Sequence, residues 1–85
     1  MSKLTFIKEF EKLIQDNFSL PQGQFEGLEI SADEALLFVI FKGDYIKVIN
    51  IDFDSNWAIL KDFVQQLDEA PDVDRATMEK YIKGE

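Results

Sequence analysis

Apolar side chains recur at helical spacing from the first residues onward. Leu4, Ile7, Phe10, Ile14 and Phe18 fall on one stripe, which predicts a helix over residues 3–18. Ser2 stands where its hydroxyl can accept a hydrogen bond from a first-turn amide. Phe6 and Leu13 widen the stripe to one side, so the helix is expected to touch two neighbours rather than one. Leu20-Pro21-Gln22-Gly23 then turns the chain. From Phe25 the period changes to two, predicting strands over 25–30, 35–42 and 45–52. Ser31-Ala32-Asp33-Glu34 separates the first two. Gly43-Asp44 reads as a two-residue type II′ turn between the others. That turn sets Phe41 opposite Ile46 and Val39 opposite Val48. Leu36, Phe38 and Ile40 then share the other face with Tyr45, Ile49 and Ile51.

A second helix is expected from a cap at Asp54 or Ser55 to about Glu69, with Trp57, Leu60, Phe63, Val64 and Leu67 on its buried face. Pro71 follows its end. A short last helix starts after Asp74, where Val73 and Met78 have the spacing of a hydrophobic staple. Tyr81 and Ile82 continue its buried side, and Lys80 and Lys83 suit the negative end of the helix dipole. The expected fold is α+β: a single domain over 1–85 in the order α-β-β-β-α-α, with a three-stranded antiparallel sheet packed with three helices. The expected core contains Ile7, Phe10, Ile14, Phe38, Ile49, Ile51, Leu60, Phe63, Val64, Leu67 and Ile82. Both faces of the hairpin are apolar. Leu37, Val39, Phe41, Ile46 and Val48 must therefore be covered by the first helix or by another chain.

Composition narrows the function. A chain of 85 residues buries only ~60% of the surface its unfolded form exposes, and the 46% apolar content meets that demand. The absence of Cys and His removes disulfides, thiolate nucleophiles, imidazole bases and zinc-finger-type sites. Seventeen acids against nine bases leave a net charge of −8, which repels phosphate backbones and argues against direct nucleic-acid binding. The longest apolar run, Ala35 to Phe41, is far short of the ~20 residues that span a bilayer, and the start of the chain lacks the apolar core of a signal peptide. The expected location is the cytoplasm, that of the host cell if the chain is phage-encoded.

The acids are unevenly spread. Residues 26–34 carry Glu26, Glu29, Asp33 and Glu34 with no base, and residues 52–74 carry seven acids against Lys61 alone. Solvated loops and helix caps account for some of them. Asp62, Gln66 and Glu69, however, follow one another along the solvent side of the second helix. The sharper expectation is an anionic surface for a basic partner, built from Glu26, Glu29, Asp33, Glu34, Asp52, Asp62, Asp68 and Glu69.

Motifs for chemistry fail on inspection. Asp52-Phe53-Asp54-Ser55-Asn56 begins like a calcium loop, but Trp57 and Phe63 stand where that motif needs Gly and a bidentate Glu. The pairs Asp52/Asp54 and Asp33/Glu34 have the residue types of acid–base catalysis, but such work needs a cleft that raises one pKa. The four glycines are scattered and build no phosphate loop. The expectation is a protein that is not an enzyme and uses no cofactor and no metal.

With acidic segments such as Glu26-Gly27-Leu28-Glu29 and Asp52-Phe53-Asp54 beside its strands and helix starts, the chain resembles the small, acidic, phage-encoded anti-CRISPR proteins that inhibit type II-A Cas9. The likeness is one of element order, size and charge over the whole chain. It implies a non-enzymatic inhibitor that mimics DNA and occupies the Cas9 surface that reads the protospacer-adjacent motif. The implied partner is a basic protein surface, a CRISPR effector such as Cas9 among them. The competing expectation is a small phage or bacterial interaction module that forms a homodimer or docks through the apolar sheet face.

Overall fold

Six consecutive apolar residues, Leu36–Phe41, form the strand around which the chain is arranged. A strand alternates its side chains between two faces, so an unbroken apolar run needs cover on both. The computed structural model, which describes residues 2–17, 19–52 and 55–84, supplies that cover from the chain itself. Its elements are α1 (Lys3–Asn17), β1 (Phe25–Ile30), β2 (Leu36–Phe41), β3 (Tyr45–Asn50), α2 (Asn56–Glu69), β4 (Asp72–Val73) and α3 (Arg75–Lys83). The strands form one antiparallel sheet in the order β1-β2-β3-β4. The expected α+β domain is present, with a two-residue fourth strand added. Expectations placed on Phe18, Phe53 and Asp54 lie outside the described residues.

Leu37, Val39 and Phe41 point to one face, where they join Leu28, Ile49 and Ile51 beneath α1 (Ile7, Phe10, Ile14) and α2 (Ile59, Phe63, Leu67). Phe10 and Phe63 meet edge to face at 4.9 Å between ring centres, which locks the two helices together. Phe38 and Ile46 are fully buried on the other face under Met78 of α3, with Leu36, Ile40, Val48, Val73 and Ile82 packed around them. Two helices cover one side and one helix covers the other.

The hairpin register differs from the expected one. Phe41 pairs with Tyr45, Ile40 with Ile46, Val39 with Lys47 and Phe38 with Val48. Phe41 therefore does not face Ile46, nor Val39 Val48, and Tyr45 and Ile49 lie on the face opposite Leu36, Phe38 and Ile40. The cause is the turn. A type II′ turn has positive φ at its first central residue only, whereas both Gly43 (86°) and Asp44 (58°) have positive φ here. Lys42 joins them in a three-residue loop, and a slip of one residue exchanges the faces of the pairing.

The second correction concerns α2. Its buried stripe is Ile59, Phe63 and Leu67, so Trp57 (68% exposed), Leu60 (39%) and Val64 (55%) turn to solvent. Leu60 and Val64 are therefore not core residues. Ile82 is half-buried at the margin of the α3 cluster, and Leu4 and Tyr81 are exposed.

The helix ends follow local chemistry. Ser2 Oγ accepts from the Thr5 amide at 3.2 Å, Ser55 Oγ from Ala58, and Asp74 from Thr77 at 2.7 Å. Val73 and Met78 sit in one cluster, as a staple requires.

Side chains also occupy the sheet edges. At β1, Glu11 of α1 accepts from the Leu28 amide at 2.7 Å, and Gln15, one turn on, donates to the Glu26 carbonyl at 3.2 Å. Glu11 passes so close that a Cβ on Gly27 would lie 2.9 Å from its carboxylate oxygen, so a side chain there would displace Glu11 from the Leu28 amide. At the other edge Lys47, buried on the two-helix face, donates to the Ala70 carbonyl at the end of α2 (2.9 Å) and pairs with Asp72 (3.3 Å). Burial alone pulls the Lys47 pKa down, but Tyr45 and Asp72 outweigh it and hold the ammonium above the ordinary lysine value.

Phe63→Ala is expected to cost about 3–5 kcal/mol and Ile59→Ala about 2–5 kcal/mol in chemical denaturation. Val64→Ala should stay within about 0.5 kcal/mol. Equal losses at Ile59 and Val64 would refute this phasing of α2. Lys47→Met leaves the Ala70 carbonyl and Asp72 without their donor, and should cost about 1–3 kcal/mol. Because the folded-state pKa of Lys47 is raised, its contribution is complete below the ordinary lysine pKa and fades as pH rises through the folded value. The stability gap between wild type and Lys47→Met should therefore narrow in strongly alkaline solution.

Candidate protein-binding surface

All eight acids singled out from the sequence are exposed. Among the described residues two ion pairs form, Lys47–Asp72 and Arg75–Asp44, and none of the eight takes part in either. Their carboxylates carry charge that the rest of the described structure leaves without a salt-bridge partner.

The topology divides them between two ends of the sheet. One end holds the β1–β2 turn and the exit of β3, tied together because the Ile51 amide donates to the Ala35 carbonyl at 2.8 Å. Asp33, Glu34 and Asp52 lie there, with Glu29 two residues before that turn on β1. The other end holds the β2–β3 loop and the end of α2. Asp68 and Glu69 lie towards it, and Gln22 donates to Asp68 at 2.7 Å from the loop after α1. Glu26 belongs to this second end as well, since its neighbours Phe25 and Gly27 pair with Phe41 and Ile40 where β2 enters the β2–β3 loop. Asp62 is midway along α2. The two acidic stretches of sequence therefore do not form one patch. Each is split, and the halves build two acidic ends separated by the length of a six-residue strand, ~20 Å.

Asp33 organises its end. Ser31 is 2% exposed; its hydroxyl donates to Asp33 Oδ1 at 2.6 Å and accepts from the Leu36 amide, while the Ala35 amide also donates to Asp33. These bonds favour the charged carboxylate and hold the Asp33 pKa below its ordinary value, the Ser31 contact contributing most. Glu34 follows with φ of 58°, a left-handed position that completes the turn. The last turn of α3 docks on the same end, where the Ala32 amide donates to the Tyr81 carbonyl at 3.1 Å. Asp74 is likewise lowered, by its bonds to Thr77 at the start of α3. Arg75 is raised, chiefly by its hydrogen bond to Asp44, with smaller help from Glu79 and Glu26.

The residues that sequence reasoning missed are apolar. Trp57, Leu60 and Val64 lie at i, i+3 and i+7 along one flank of α2, and Leu60 and Val64 face α1. Between the helices runs a cleft of about 130 Å³ lined by Phe10, Ile14, Leu20, Leu60, Phe63 and Val64. The signal was the width of the α2 pattern: seven apolar residues between Trp57 and Leu67 exceed what one helix face can bury. The apolar sheet face, by contrast, is not open, because α1 and α2 cover one side and α3 the other. Among the described residues no three acidic side chains gather as a metal-binding cluster, and no helix is long and apolar enough to cross a membrane. Comparison with protein-family models, with curated proteins and with solved structures finds no match to this chain.

Asp33 and Asp74 have folded-state pKa values below their unfolded ones, so their stabilisation is complete above the ordinary aspartate range and is lost as pH falls through the folded values. The double variant Asp33→Asn, Asp74→Asn should melt lower than wild type at neutral pH. The difference should shrink steadily below pH ~4. Parallel melting curves down to pH ~2 would refute the assignment.

Proposed function

We propose that this protein acts by binding rather than by catalysis, as an acidic inhibitor that occupies a basic cleft on a nucleic-acid-processing protein. The observation that carries the reading is the set of eight exposed carboxylates without ion-pair partners among the described residues, at both ends of the sheet and along α2. Unpaired like charges repel one another in the free protein, and a cleft built for phosphates relieves that repulsion. Duplex DNA presents one charge per ~1.7 Å of axis, and proteins that hold it supply matching Arg and Lys. Catalysis by paired carboxylates would need one with a raised pKa, and the displaced aspartates Asp33 and Asp74 both move the other way. The inserted β4 departs from the element order on which the resemblance to the anti-CRISPR inhibitors of Cas9 is based; size and acidity are what make a CRISPR effector the first partner to test. Docking through the apolar sheet face loses its basis, since both faces lie beneath helices.

The test is competition with DNA for Cas9–guide complexes and for other basic nucleases, read by mobility shift. Wild type should displace DNA. Reversing Glu29, Asp52, Asp62 and Glu69 to Lys brings the formal net charge from −8 to zero. It should slow association by about one to three decades and leave the melting temperature unchanged or slightly higher. The difference should fall in 1 M salt, where the Debye length shrinks from ~8 Å to ~3 Å. DNA binding left untouched by wild type across these proteins would sink the inhibitor reading.

A further inference from the structure

We propose that the cleft between α1 and α2 is a docking site for an apolar side chain presented by a basic segment of the partner, one flanked by Lys or Arg. The inference rests on the acidic-inhibitor reading for the sign of the partner's charge and adds the surface where contact is centred.

The cleft is apolar and open on its outer side. Phe10, Ile14 and Phe63 form its floor, and Leu60, Val64 and Leu20 form its walls. Trp57 stands one turn before Leu60 and is 68% exposed, a large aromatic surface left in water. Tryptophan in that position is the residue type most enriched among binding hot spots. On α1 the flank opposite Glu11, which is committed to β1, carries Phe6 and then Leu13, 43% exposed. An apolar seam therefore continues along both helices.

Its rims are charged, and mostly of one sign. Asp68 lies four residues after Val64 on the same flank of α2, where Gln22 donates to it. Glu9 and Asp16 lie four residues before and three after Leu13 on α1, and both are exposed. Lys61, four residues after Trp57, is the basic residue on the α2 rim. Three acids against one base select a basic occupant.

The same charges disfavour a second copy of this chain. A two-fold dimer brings the same patch of both copies together, so two rims each carrying Glu9, Asp16 and Asp68 against Lys61 would meet with the same net negative sign. The exposed parts of Trp57, Leu60, Val64 and Leu13 together offer a few hundred Å², below the ~800 Å² per side of a standard interface. A dimer would have to find the remainder among acids. A basic partner meets those acids favourably and needs only one apolar anchor to fill the cleft.

Trp57 is the single tryptophan of the chain, so its emission reports this surface alone. The probe is a tryptophan-free amphipathic helical peptide of Leu and Lys. Controls are the same Leu positions with Glu in place of Lys, and a Lys peptide with Ser in place of Leu. The Leu/Lys peptide should shift Trp57 emission to the blue and move amide resonances of residues 9–20 and 57–68. The Leu/Glu peptide should bind at least tenfold more weakly, and the Lys/Ser peptide should leave the emission unchanged. Val64→Asp, at a site 55% exposed, should weaken the Leu/Lys peptide at least tenfold without lowering the melting temperature; Val64→Ser, which adds no charge, should weaken it less. A blue shift on concentration without peptide would show self-association and overturn the proposal. So would resonance changes confined to the two ends of the sheet, or no binding at all. Against an effector the two readings separate: binding lost in the four-fold charge reversal but retained by Val64→Asp keeps the acidic inhibitor and removes the cleft. Binding lost in Val64→Asp but retained by the charge reversal removes the acidic reading, and the proposal that rests on it.

Discussion

Strand β2 has no polar side, and the rest of the molecule follows from that. Leu37, Val39 and Phe41 on one face and Phe38 on the other are all buried at 1% exposure or less. Cover on both faces is ordinarily a property of parallel sheets in larger α/β proteins. Here 85 residues achieve the same with three helices. Two of them, joined by the Phe10–Phe63 contact, cover the broader face, while nine-residue α3 covers the narrower one with Met78 at its centre. The return from α2 to α3 has to cross from one face to the other, and it does so at the sheet edge. The two residues of β4 are that crossing, paired with Ile46 and Lys47 as they pass.

Lys47 belongs to the same economy. Its position on the two-helix face places an ammonium among apolar neighbours, and the end of α2 is where an unsatisfied carbonyl is available to receive it. One side chain thus satisfies a helix terminus, pairs with Asp72 at the crossing and fills the edge of the core. Among the described residues Lys47 and Ser31 are buried polar residues, and each bonds the chain where it changes direction, Lys47 at the end of α2 and Ser31 within the β1–β2 turn.

Much of this was legible in the sequence, and the failures have physical causes. Strand β1 and the cap at Asp74 were readable because each rests on a local signal: alternation in Phe25–Ile30, and a capping side chain flanked by a staple. The hairpin register was not. When both faces are apolar, hydrophobic alternation cannot choose between pairings one residue apart, and the choice passes to the loop, where Asp44 takes a left-handed conformation. The phase of α2 failed for a related reason, since Phe63 and Leu67 belong to both candidate stripes and only packing against Phe10 selects Ile59 over Leu60 and Val64. Two-residue β4 has no period to read. The acids could be named as exposed, but their division between two ends depends on which strand termini are neighbours, which is a property of topology.

The contact between Glu11 and the Leu28 amide has a consequence beyond holding α1 in place. β1 is an outer strand, and outer strands invite addition of another chain through their unpaired amides and carbonyls. Here the Leu28 amide and the Glu26 carbonyl are already bonded to α1, and the bulge between Phe25 and Gly27 breaks the regular spacing an incoming strand would need. Growth of the sheet on this side is thereby hindered, because an incoming strand would first have to displace Glu11 and Gln15.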